Sequence, residues 1–151
     1  MKKLPLILTV TLLILLSFVS CDGQVEKNES DTVAVSVCPA TEEQLSNEND
    51  YIHFYDTDSI NTEWKILLTV ESQVESLSFT EIDESEGTKL GKVLFEESSP
   101  SVGTSYIFHT YLNDATLNRG ISYVDQSGNV RNFGIAVSMK DGTLYLMEIE
   151  A

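Results

Sequence analysis

From Tyr51 to the end, the chain alternates apolar and polar positions in short runs. "YIHFY" (51 to 55), "WKILLTV" (64 to 70), "VESLSFTEI" (74 to 82) and "KLGKVLFE" (89 to 96) come first. "SYIFHTYL" (105 to 112), "GISYVD" (120 to 125), "VRNFGIAVS" (130 to 138) and "TLYLMEIE" (143 to 150) follow. Each is rich in branched and aromatic residues and is bounded by Asp, Ser, Asn, Glu or Gly, the pattern of a strand with one buried face. None of them sustains a helical period over ten residues, so this part of the chain reads as all-β.

The last three runs are joined by "DQSGNV" and "MKDGT". Gly128 and Asn129 in the first suit the positive φ that a short hairpin loop needs, and Asp141-Gly142 in the second is the preferred pair for a tight reversal. A three-stranded antiparallel meander is expected over about 119 to 150, with Phe133, Ile135 and Val137 of its middle strand facing the core. "SSPSVGT" (98 to 104) and "NDATLN" (113 to 118) are longer joins than an up-and-down barrel needs and leave room to cross between sheets. The expected architecture is an antiparallel two-sheet sandwich of immunoglobulin-like type, with a small closed barrel as the alternative.

Ahead of Tyr51 the pattern weakens. Residues 22 to about 31, "DGQVEKNESD", hold one aliphatic side chain and cannot bury enough to fold, so they read as a tether. "TVAVSVC" (32 to 38) alternates Val33, Val35 and Val37 and can form a strand that Pro39 ends. Thr41 and Gln44 fit a capping box over a single helical turn. The expected division is a signal peptide at 1 to 20, an acidic linker at 21 to 48 with an optional strand at 32 to 38, and a folded domain at 49 to 151. If the Val-rich piece joins a sheet, the domain starts nearer 32.

The first twenty residues have a basic start at Lys2 and Lys3, an apolar run from Leu4 to about Val19, and small Ser20 before Cys21. The run is shorter than the roughly 20 apolar residues of a membrane span and is interrupted by Pro5, Thr9, Thr11 and Ser17. Bulky Phe18 at the third position before the junction is unsuited to the ordinary signal peptidase. Val19-Ser20-Cys21, with Phe18 where Leu is usual, resembles the lipobox of bacterial lipoproteins. That resemblance implies a diacylglyceryl group on the Cys21 thiol, acylation of its freed amine, and a mature protein anchored to a bacterial envelope membrane outside the cytoplasm. Two or more acyl chains, at roughly 0.8 kcal/mol per buried CH₂, make such an anchor durable. Cys21 and Cys38 are the only cysteines. No disulfide is expected if Cys21 is acylated, and a Cys21–Cys38 bridge, incompatible with lipidation, is the runner-up.

Removing the signal leaves seven Lys and Arg against 24 Asp and Glu, a formal charge of −17. Nucleic acid and anionic lipid surfaces should repel such a chain, whereas a basic envelope protein is an admissible partner. Catalytic motifs are lacking: there is no Gly-x-Ser-x-Gly, and His53 and His109 sit in separate strand-like runs. "DTDSIN" (56 to 61) begins like a calcium loop with Asp56 and Asp58, but has Asn61 and Leu67 where the helix-loop-helix site wants Gly and Glu. A looser loop site could add Glu63 or the acids of "EIDESE" (81 to 86). Trp64 is expected to cap the core, and Tyr106, Tyr111, Tyr123 and Tyr145 to pack, with an outward aromatic binding patch as the alternative for the tyrosines. No catalytic residue, metal ligand or cofactor is assigned. The expected function is a non-enzymatic binding or accessory module. The alternatives are an envelope enzyme acting on glycans through paired carboxylates, and a calcium-dependent adhesion module.

Overall fold

The computed structural model describes residues 33 to 47, 49 to 57, 63 to 85 and 87 to 150. The signal segment, Cys21, and Asp58 to Asn61 of the calcium-like loop lie outside them. Among the described residues nine strands form: β1 (Val35–Pro39), β2 (Ile52–Tyr55), β3 (Trp64–Val70), β4 (Glu75–Asp83), β5 (Lys89–Glu97), β6 (Ser105–Thr110), β7 (Arg119–Val124), β8 (Val130–Val137) and β9 (Leu144–Glu148). One short helix, α1 (Glu42–Ser46), follows β1. Its capping box is complete: the Thr41 hydroxyl accepts from Gln44 N at 3.3 Å and Gln44 Oε1 accepts from Thr41 N at 2.8 Å.

The strands divide into a four-stranded sheet, β1-β3-β6-β2, and a five-stranded sheet, β5-β4-β7-β8-β9. All neighbours are antiparallel except β2 and β6, which run parallel. The chain crosses between sheets after β3, through 98 to 104 after β5, and through 111 to 118 after β6. Strands β1 and β2 are the edges of the first sheet, and β5 and β9 those of the second. The arrangement is a sandwich and not a closed barrel.

Strand β1 pairs with β3 from Val35↔Val70 to Pro39↔Ile66 and buries Val35 and Val37. The optional strand at 32 to 38 thus joins the sheet, and residues 34 to 40 belong to the folded unit. The core follows strand parity. Ile66, Leu68 and Val70 of β3 and Tyr106 and Phe108 of β6 face Leu77, Phe79, Ile121, Tyr123, Phe133 and Ile135 of the opposite sheet. The Phe79 and Phe108 rings stack across the interior with centroids 4.3 Å apart, and Phe54 and Phe95 close around them edge-on. Such contacts add to the burial energy of each ring. Tyr123 also ties the sheets through a polar atom, its hydroxyl accepting from Ala34 N at 3.2 Å.

The meander turns differ from expectation in one residue. Gly128 and Gly142 have φ of 79° and 72°, but Asn129 does not take a positive φ. The Asp125 carboxylate instead accepts from Ser127 N and Asn129 N, both at 2.9 Å, and closes the turn with a side chain.

On the outer face of the five-stranded sheet, Gly120 pairs with Gly134. A Cβ at Gly120 would stand 2.7 Å from the Phe133 carbonyl oxygen and under 3 Å from Ile82 and Leu90, whereas one at Gly91 would meet nothing closer than 3.5 Å. The Gly120→Ala variant should lose about 1 to 3 kcal/mol of unfolding free energy in urea, with Gly91→Ala near neutral; equal effects at the two sites would contradict this packing.

Candidate functional site

Polar chemistry collects at one end of the four-stranded sheet, where β1 finishes, β3 begins, and β2 and β6 finish. Antiparallel pairing of β1 with β3 and of β3 with β6, and parallel pairing of β2 with β6, place those four strand ends together.

A buried charged cluster lies at the β2 and β6 side. Asp56 follows β2, Thr110 ends β6, and Arg119 opens β7 in the other sheet. Asp56 Oδ2 accepts from Arg119 Nη2 at 2.8 Å, from Arg119 Nε at 2.9 Å and from the Thr110 hydroxyl at 2.7 Å. Arg119 Nε also approaches Thr110 Oγ1 at 3.1 Å, and Nη1 donates to the Asn118 carbonyl at 2.8 Å. The Asp56 and Arg119 side chains are 1% and 9% exposed, so each needs the other to offset its desolvation. The sequence offered Asp56 as the first ligand of a calcium loop; in the structure this carboxylate is spent on an inter-sheet ion pair. Among the described residues, no group of three His, Cys, Asp or Glu side chains converges on a point that could hold a metal ion.

The two histidines, read as unrelated in the sequence, are neighbours. In the parallel register His53 lies opposite Ile107 and Tyr55 opposite His109, and His53 Nδ1 approaches His109 Nε2 to 3.0 Å. One ring nitrogen donates and the other accepts, according to tautomer. The Tyr55 ring stacks on His109 at 4.1 Å, and Lys65 of β3 faces it across the ladder. Burial pushes the His109 pKa below its usual value, and the charges of His53 and Lys65 add to that. Parallel pairing of β2 with a strand more than fifty residues later leaves no local trace in the sequence, so the pair was not foreseen.

Between the ends of β1, β3 and β6 opens a cleft of about 660 Å³. Pro39, Ala40 and α1 form one wall with Glu42 and Leu45; Glu63, Trp64 and Lys65 form a second; Tyr111, Leu112 and Asp114 form the third. Trp64 is half-buried against the core, as expected, and also lines the cleft. Tyr111 departs from expectation: β6 stops at Thr110, so Tyr111 leaves the strand and is 39% exposed. Tyr106 and Tyr123 are buried between the sheets and Tyr145 is half-buried, so the four tyrosines do not form a patch. Glu42, Glu63 and Asp114 are exposed on the rim, and Lys65 Nζ donates to the Glu63 carbonyl at 3.2 Å. The 111 to 118 wall is fixed by Asn118, whose side chain accepts from Asn113 N at 2.9 Å and donates to Tyr111 O at 3.0 Å.

No protein-family model, curated protein or solved structure matches the chain. The functional reading therefore rests on its own residues. Cys21, the assigned lipidation site, lies outside the described residues; Cys38, half-buried in β1 beside Leu67, is disulfide-bonded, against the expectation of no disulfide, and the labelling experiment below decides between that bridge and acylation.

Because the folded His109 resists protonation, the unfolded chain takes up its proton first as pH falls. Its contribution to stability is intact above about 6.5 and is lost as pH drops from there toward the lowered folded value. Urea unfolding between pH 7.5 and 5.5 should show stability falling on acidification, with a shallower fall in His109→Gln. Identical slopes in the two proteins would contradict the assignment.

Proposed function

We propose that this protein is a lipid-anchored component of a bacterial envelope whose sandwich acts as a non-enzymatic binding or accessory module. The observation that carries the reading is the junction Val19-Ser20-Cys21, placed after a basic start and an apolar run and directly before a strongly acidic chain. A body of charge −17 is repelled by anionic lipid, so its residence at a membrane needs hydrocarbon bonded to the chain. Eleven residues, 22 to 32, lie between Cys21 and the folded unit, and a coil of that length has a mean span of about 20 Å. The domain then works on close neighbours at the membrane surface.

The open cleft supports binding over catalysis. Its three carboxylates stand in solvent, the setting of an electrostatic rim, and not in the apolar enclosure in which glycosidases keep a catalytic acid. One observation favours the second reading, an enzyme acting on glycans: the same cleft joins Trp64 and Tyr111 to those acids. Incubation of the full chain with purified peptidoglycan separates the two. Binding without release of reducing ends fits the module, and release of reducing ends that Glu63→Gln or Asp114→Asn abolishes fits the enzyme.

Anchoring is tested by labelling cells with radioactive palmitate and fractionating them. The parent protein should be labelled, membrane-bound and shortened to begin at Cys21, while Cys21→Ser should be unlabelled and retain residues 1 to 20. An unlabelled parent protein, or a parent whose N-terminal peptide shows Cys21 bridged to Cys38, would overturn the assignment, since a thioether and a disulfide cannot share one sulfur.

A further inference from the structure

We propose that the cleft between α1, the start of β3 and the 111 to 118 crossing binds arginine or lysine side chains of a basic partner protein. The inference rests on reading the chain as a binding module and goes on to name the ligand chemistry. Trp64 and Tyr111 supply aromatic side chains, and Glu42, Glu63 and Asp114 supply three carboxylates against the single ammonium of Lys65. A guanidinium or ammonium group is attracted both by a ring face and by carboxylates, and a planar guanidinium can stack on one while hydrogen-bonding the other. The cleft volume lies within the range of small-ligand sites, enough for individual side chains to enter.

Two features keep this arrangement in place before any partner arrives. The capping box fixes the first turn of α1, where Glu42 sits, and the Asn118 clip fixes the crossing that presents Tyr111 and Asp114. A preorganised site loses less freedom on binding. The charge of the mature chain adds long-range attraction for a basic partner and repels phosphate-rich ones. A neutral glycan would gain from the aromatic rings but has no use for an excess of two negative charges.

Trp64 is the only tryptophan in the chain, so intrinsic fluorescence reports the cleft directly. The full lipidated protein, in nonionic detergent, is titrated with acetyl-triarginine amide, acetyl-triglutamate amide and chitotriose. Triarginine should change the fluorescence saturably, with a dissociation constant below about 1 mM, and triglutamate should not. The triple variant Glu42→Gln, Glu63→Gln, Asp114→Asn should weaken binding at least tenfold. The equally neutralising variant Glu75→Gln, Glu96→Gln, Glu150→Gln, whose exposed positions lie away from the cleft, should weaken it less than threefold. Circular dichroism confirms that both variants fold. Equal weakening by the two variants would reduce the effect to net charge and overturn the site. A response to chitotriose with none to triarginine would overturn the ligand class and favour the glycan reading. No response to either would overturn the site while leaving the palmitate result, and with it the anchoring, untouched.

Discussion

The interaction on which this end of the molecule depends is the buried contact between Asp56 and Arg119. The two residues belong to different sheets, and the hydrophobic core alone does not fix how those sheets meet at their margin. Apolar contacts between Phe79 and Phe108 are strong but tolerate small slides, whereas an ion pair almost without solvent tolerates very little. The Thr110 hydroxyl completes the contact by donating to the same carboxylate oxygen. Arg119 in turn donates to the carbonyl of Asn118, the residue that clips the crossing between β6 and β7. The chain of hydrogen bonds thus runs from the sheet interface to the wall of the cleft.

That geometry separates two kinds of polar residue in an acidic protein. Asp56, His53 and His109 are turned to structure: the acid is held by its arginine, and the imidazoles meet through one nitrogen each, with His53 Nε2 buried without a hydrogen-bond partner. Glu42, Glu63 and Asp114 are left at the surface beside two aromatic side chains. The first group specifies the fold at one end of the sandwich, and the second is displayed by it. A lipid at Cys21 would set how far from the membrane this display can reach.

Much of the fold was legible because strand periodicity is a local property. All eight apolar runs from Tyr51 onward became strands, the 119 to 150 meander formed, and the joins at 98 to 104 and 113 to 118 lie in two of the crossings between sheets. Thr41 and Gln44 made their capping box because both halves of that motif lie within four residues. What the sequence hid was pairing at a distance. The approach of His53 to His109 depends on a parallel edge strand, and Asp56 looked like a loop ligand because its arginine lies 63 residues away. Tyr111 was misplaced by a strand that stops two residues sooner than its apolar pattern. The cleft could not be read at all, since three segments distant in sequence build it.

The claim that the two sheets are fixed at this end by one ion pair is tested most directly by a double-mutant cycle. Asp56→Ala, Arg119→Met and the double variant would be compared with the parent protein by urea unfolding at neutral pH. Each single change should cost about 3 to 5 kcal/mol, because it leaves a buried charge without its counterpart, and the double variant should cost little more than either one. Additive losses, with a coupling energy near zero, would show that the pair does not hold the sheets together and would contradict this account.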